Sequence, residues 1–374
     1  MSAPPVTAIV APPARLDIVV LGLSITSSWG NGHAVTYRGL LKELARRGHS
    51  VTFLERDVPW YAANRDLPKP PYAKTYLYKS IDALKERFAA SVRRADLVIV
   101  GSFVPDGIEV GGWVTREARG VTAFYDIDTP VTLARLEQGG ADYIDADLIR
   151  AYDLYLSFTG GPVLDLLERR HGAQRARALY CSVDPSEYFA DPDTKLRWDC
   201  GYMGTYSDDR QPTLSRLLVD PARRWKSGRF VVAGPKYPTR IRWPANVQRI
   251  EHLAPRQHRA FYNAQRYTLN VTRADMVRLG WSPSVRLFEA AACGTAIVSD
   301  WWDGLDSLLR PDEEILIARN GDDMLRILRK IPEHERRRIG IAAQARVLAA
   351  HTAAHRAAEL EEFALAELRH RLAA

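Results

Sequence analysis

Short apolar runs and amphipathic segments alternate through the first half of the chain. LDIVVLGLS (Leu16–Ser24) is almost uninterrupted in its apolar character, the pattern of a strand buried on both faces. A Gly/Ser loop follows. Tyr37, Leu40, Leu41 and Leu44 then fall at i, i+3, i+4 and i+7, which predicts a helix from about Ala34 to Arg47, closed by Gly48. VTFLE (Val51–Glu55) predicts the next strand, so the chain opens as a βαβ unit. Further strands are expected in ADLVIVGSF (Ala95–Phe103), GVTAFYDID (Gly120–Asp128), DLYLSFTG (Asp153–Gly160) and RALYCSV (Arg177–Val183), with helical segments between most of them. Strands alternating with helices over this length predict a parallel, doubly wound sheet.

SVDPSEYFADPDTK (Ser182–Lys195) breaks the rhythm with Pro and Asp and reads as a linker. The pattern then restarts. WDCGYMGTYS, RFVVAGPKY, VQRIEHL, YTLNVTR, TAIVSD and EILIAR are strand-like, and the segments around Pro212–Leu218, Pro255–Gln265, Pro283–Cys293 and Asp322–Lys330 are helical. From about Pro332 the chain is rich in Ala, Arg, Glu and Leu, which predicts one or two long helices. The expected class is therefore α/β: two tandem doubly wound Rossmann-like domains whose strand C-termini face each other across a cleft. The boundaries expected are a flexible leader over 1–14, an N-terminal domain over 15–188, a C-terminal domain over 189–345 and a helical tail over 346–374.

A length of 374 residues suits two domains of ordinary size. Hydrophobic residues at 46% and charged residues at 26% are those of a folded globular chain. No apolar run reaches the roughly 18 to 20 residues of a membrane-spanning helix. Cys181, Cys200 and Cys293 are odd in number, widely spaced and set in apolar contexts, which disfavours a disulfide framework or a zinc site and suggests a reducing cytoplasm. A net charge of +7 admits an anionic partner, but Arg is spread along the whole chain. No zinc-finger, RNP or basic-zipper pattern supports nucleic acid, and any membrane contact is expected to be at most peripheral.

The chemistry concentrates in GWSPSVRLFEAAACGTAIVSD (Gly280–Asp300). Ser282 as N-cap, Pro283 at the first helical position and Gly294 as C-cap predict a short helix, with the backbone N–H groups of Ser284, Val285 and Arg286 at its anion-attracting end. Glu289 is a lone carboxylate on an otherwise apolar helix. The residues leave two readings open: Arg286 and Glu289 pair with each other at i, i+3, or they meet a diphosphate and the vicinal hydroxyls of a ribose. A second candidate is GYMGTYSDDR (Gly201–Arg210), where Gly204 admits close backbone approach and Thr205 offers a hydroxyl. A third is SSWGNGHAVTYR (Ser27–Arg38), whose Gly30, Asn31 and Gly32 lie between strand and helix; this is not the GxGxxG of a nicotinamide fold. Asp126 and Asp128 in FYDIDTPVT are expected as cleft polar groups on the acceptor side. The segment Trp60–Ser80 interleaves aromatics with Lys and Arg, which suits the lining of an acceptor side, but the plainer reading is a loop packing its aromatics on its own domain.

SPSVRLFEAAACGTAIVSD, with the downstream WWDGLDSLL and EILIARNGDDML, resembles the nucleotide-sugar block of GT-B glycosyltransferases, in particular the branch similar to the spore maturation protein CgeB. The resemblance is motif-strong from about Asn270 to Asp323. It implies that Glu289 holds the donor ribose, that Arg210 and Lys236 neutralise the diphosphate together with Arg286, and that His33 is a general base for an acceptor hydroxyl. It further implies tail helices packing back on the N-terminal domain, no cofactor and no metal. Many retaining relatives carry a second Glu eight residues before the first; here that position is Trp281, so the sugar and the stereochemical outcome stay open. The function expected is metal-independent transfer from a nucleotide-diphosphate sugar to an acceptor. The alternatives are an epimerase on the same scaffold or a sugar-nucleotide-binding protein without turnover. Donor base, acceptor and oligomeric state are not readable from the chain.

Overall fold

The computed structural model describes residues 15–373; the leader expected over 1–14 lies outside the described residues. The first domain is a parallel sheet of β1 (Asp17–Gly22), β2 (Ser50–Arg56), β3 (Lys74–Tyr78), β4 (Leu97–Gly101), β5 (Val121–Asp126), β6 (Leu154–Ser157) and β7 (Ala176–Ala178), in the order β3-β2-β1-β4-β5-β6-β7. The second contains β8 (Trp198–Met203), β9 (Phe230–Ala233), β10 (Val247–Ile250), β11 (Gln265–Asn270), β12 (Ala296–Ser299) and β13 (Leu316–Ile317), in the order β10-β9-β8-β11-β12-β13, again all parallel. The central strands are buried on both faces, as their unbroken apolar runs predict. Strand order reverses at β1/β4 and at β8/β11, the switch points where open α/β sheets present a ligand crevice.

The class is α/β with two Rossmann-like domains, as the alternating pattern predicts. Three local expectations change. KTYLY is a strand, β3, pairing with β2, whereas the sequence reads there as part of a loop. The helix expected from Pro283 to Cys293 is Val285–Ala292, with Ser284 rather than Ser282 as its N-cap. The segment after Arg210 is a composite of α-helix Gln211–Leu214, π-helix Ser215–Val219 and α-helix Asp220–Arg224.

The tail forms helices Glu333–Ala350 and Ala353–Ala373. The first packs on helix Val285–Ala292 and the second crosses to the N-terminal domain against helix Gly32–Arg46. Close approach there is set by Gly39, whose Cβ position lies 3.2 Å from the Ala353 methyl. Ion pairs Arg47–Glu361 at 2.5 Å and Arg175–Glu367 at 2.7 Å fix the register. The outgoing and returning chains touch where they pass between domains: Val183 N–H donates to His351 O and Ala353 N–H to Val183 O. One apolar core is continuous through this junction, from Tyr37 and Leu40 to Leu287, Phe288, Ala357 and Leu360.

Candidate active site

Glu289 lies on helix Val285–Ala292 and is 3% exposed. It accepts a hydrogen bond from the Tyr262 hydroxyl at 2.8 Å, and burial together with the Glu289 carboxylate pushes the phenols of Tyr262 and Tyr188 well above their ordinary value. Arg286 does not pair with it. The guanidinium turns toward the strand ends, donating from Nε to Met203 O at 2.8 Å and from Nη1 to Asn270 Oδ1 at 2.7 Å. It also lies over the Tyr202 ring, 4.9 Å from the centroid. Asn270 is fully buried and accepts the Ser284 hydroxyl as well, at 2.8 Å, so one amide ties the ends of β8 and β11 to the start of the helix. No side chain caps the first turn of that helix, which leaves its amides directed outward.

Arg210 stands beside this start. Its Nη2 donates to Thr205 O at 2.7 Å, while its buried Nε has no partner. Burial holds the guanidinium below its usual value, and the charges of Arg286 and Arg273 add to the effect. Among the described residues, none of Arg210, Arg273 and Arg286 forms an ion pair with a carboxylate. Three cations without an ion-pair partner among the described residues, beside an uncapped helix start, are an arrangement that attracts an anion. Gly204, at the end of β8, donates to Ala233 O at 2.9 Å and runs alongside the Arg286 guanidinium. Lys236 is exposed and makes no hydrogen bond or ion pair among the described residues; its φ of +68° directs the turn after β9. Ser282 is buried and bonds Thr159 Oγ1 at 2.6 Å across the domain junction, so its hydroxyl is occupied.

On the opposite wall, Glu55 at the end of β2 is completely buried and gathers the loop after β1. It accepts from Ser24 Oγ, Ile25 N, Thr26 N and Thr26 Oγ1 at 2.6 to 3.1 Å. Asn31 is likewise consumed by the scaffold, donating to Ser24 O and Ser27 O while capping His33 N. Gly30 and Gly32 are exposed on the rim. His33 is 8% exposed, its Nε2 3.5 Å from Asp128 Oδ2 and its Nδ1 buried without a partner. Asp126, expected in the cleft, is instead completely buried beneath it, bonded by Tyr155 at 2.6 Å and Thr132 at 2.8 Å. The side chain at the last position of β5 points into the protein, whereas Asp128 lies beyond the strand, at the N-cap of the following helix, with its carboxylate toward His33.

Asp128 and Arg273 are the N-cap residues of helices Thr129–Glu137 and Ala274–Leu279, and these helices pack on each other across the cleft. That contact brings the His33–Asp128 pair to the same side of the molecule as the arginines. A separate cavity of about 650 Å³ opens at the seam between domains, lined by Val35, Arg38, Lys42, Tyr72, Tyr188 and Arg259. Its helix residues lie on the face of Gly32–Arg46 opposite His33. Asn270 and Arg273, at and just after the end of β11, Tyr262 inside helix Pro255–Asn263, and Tyr188 between the domains carry no sequence signal of their role; only Glu55, closing an apolar run, could have been singled out. No group of three or more His, Cys, Asp or Glu among the described residues is arranged to hold a metal, and no helix there is long and apolar enough to cross a membrane.

A family model described as glycosyl transferase-like matches residues 210–362. With the two-domain architecture, this defines the class: an enzyme of the glycosyltransferase type with the GT-B fold. Three solved structures share that fold over nearly the whole chain. Sucrose-phosphate synthase from Thermosynechococcus elongatus is 14% identical, with a TM-score of 0.67, covering 93% of this chain and 98% of its own. HepE from Anabaena in complex with UDP and glucose is 13% identical, with a TM-score of 0.69 and coverage of 95% and 100%. An alpha-glucosyltransferase in complex with UDP is 12% identical, with a TM-score of 0.66 and coverage of 94% and 100%. No relative among curated proteins matches this sequence.

Proposed function

We propose that the protein transfers a sugar from a nucleoside-diphosphate sugar to an acceptor hydroxyl without a metal, as a member of the CgeB-like branch. The observation that carries this reading is the cluster of Arg210, Arg273 and Arg286, without an ion-pair partner among the described residues, at the uncapped start of the helix bearing Glu289. Positive charge held there stabilises the diphosphate as its bond to the sugar breaks, the work a metal does elsewhere. Thr205, Gly204 and the amides of Ser284, Val285 and Arg286 line the same seat, and Lys236 is free to swing onto it. Glu289 accepts the ribose hydroxyls at the carboxylate edge that the Tyr262 hydroxyl leaves free. UDP bound to HepE and to the alpha-glucosyltransferase supports a nucleoside diphosphate as the ligand class. His33 takes the proton of the acceptor hydroxyl, and the Asp128 carboxylate stabilises the imidazolium that forms. Three buried, unpaired thiols suit a reducing compartment such as the cytoplasm.

Titration with UDP, dTDP and GDP followed by thermal unfolding tests the reading. One of them is expected to raise Tm, and Arg210→Ala or Glu289→Gln to weaken it by about tenfold or more, roughly 1.4 kcal/mol. A protein indifferent to all three nucleotides would contradict the proposal.

A further inference from the structure

Trp281 holds a backbone conformation that bulky residues rarely adopt, with φ of +53°. Strain of this kind persists only where the surroundings over-determine it. Its N–H donates to Asp303 O at 2.6 Å, in the loop after β12, and its carbonyl accepts from Gly160 N–H at 3.0 Å, in the loop after β6. The two main-chain groups of one residue are thus tied to the two different domains. The indole is seated between Gly161 of the N-terminal domain and Gly304 of the C-terminal one, and a Cβ at either position would collide with the ring. Ser282 continues the seam through its 2.6 Å contact with Thr159, and the Cys181 thiol donates to Pro283 O at 3.3 Å.

From this geometry we infer that Trp281 is a positioning residue: a wedge that fixes the angle between the two domains. Four residues further on begins the helix whose first turn faces the arginine cluster. The wedge therefore sets how far the His33–Asp128 pair stands from the diphosphate seat, a consequence that rests on the function proposed above. The wedge itself does not depend on that reading. Every residue proposed to hold the diphosphate and ribose belongs to the C-terminal domain. Nucleotide affinity should accordingly be indifferent to Trp281, while the shape of the molecule should depend on it.

Small-angle scattering and UDP calorimetry on the full chain separate these effects. Trp281→Ala is expected to give a more extended scattering profile than the wild type while binding UDP within about twofold of it, and Trp281→Phe, which still fills the slot, to restore most of the compact profile. Gly161→Ala pushes on the wedge from the other domain and serves as a second variant should Trp281→Ala fail to fold; it is expected to extend the profile in the same sense. A profile unchanged in both variants overturns the inference. So does a tenfold loss of UDP affinity in Trp281→Ala, which would make the indole a wall of the nucleotide site. If the wild type binds no UDP, the nucleotide reading is what fails, and the scattering comparison still decides the wedge.

Discussion

Asp126 shows how little a residue's neighbours in sequence say about its environment. It is two positions from Asp128 and of the same type, yet burial pushes its carboxyl up to about 6, against hydrogen bonds from Tyr155 and Thr132 that oppose the shift. The folded protein therefore binds this proton more tightly than the unfolded chain does. Its contribution is fully present below about pH 4 and is lost as pH rises through about 6. Asp126→Asn keeps the shape and removes the titration. Urea unfolding of the two proteins at pH 4 and pH 7 should show the wild type losing on the order of 2 to 3 kcal/mol relative to the variant between those values. Equal pH profiles would mean that Asp126 titrates normally. The same lesson holds at Glu289: helical spacing offers Arg286 as its partner, but a phenol from another helix reaches it instead.

Among the elements, the stretch Ser24–Thr26 after β1 places four of its donor bonds on one carboxylate, Glu55. Glu55→Ala would leave the Ser24, Ile25 and Thr26 donors buried and unsatisfied, at roughly 1 to 3 kcal/mol for each group that water cannot reach. A loss of stability of about 3 kcal/mol or more in chemical denaturation is expected, with faster hydrogen exchange at Ile25 and Thr26 and little change in nucleotide affinity, since the C-terminal seat is untouched. Retention of wild-type protection at those amides would contradict it. Elements buried on both faces, such as β4 and β5, were legible because burial imposes an unbroken apolar run. β3 was not legible: as an edge strand it pairs on one side only, carries an exposed Lys74, and shows a mixed pattern that resembles a loop.

For the whole molecule, the tail decides whether the first domain has a complete core. Ala357, Leu360 and Ala364 of helix Ala353–Ala373 are fully buried in the core that also holds Leu40, Leu41 and Leu44. Deleting the chain from Ala353 onward strips the cover from helix Gly32–Arg46. The truncated protein is expected to aggregate or to melt at least about 10 °C lower, read by circular dichroism and light scattering. A folded monomer with the original Tm would make the helix an accessory.

Pattern and propensity along the chain determined the number and kind of most elements and the two-domain layout, because periodic burial and the punctuation by Gly and Pro are local properties. What only the tertiary structure decided is which polar groups are spent on the scaffold and which remain free. Ser282 and Asp126 are consumed by hydrogen bonds to residues that folding brings beside them, whereas Arg210, Arg273 and Arg286 form no ion pair among the described residues. A side chain's partners are set by the packing of elements distant in sequence, and Trp281, held between two glycines from different domains, has no meaning until both are in place.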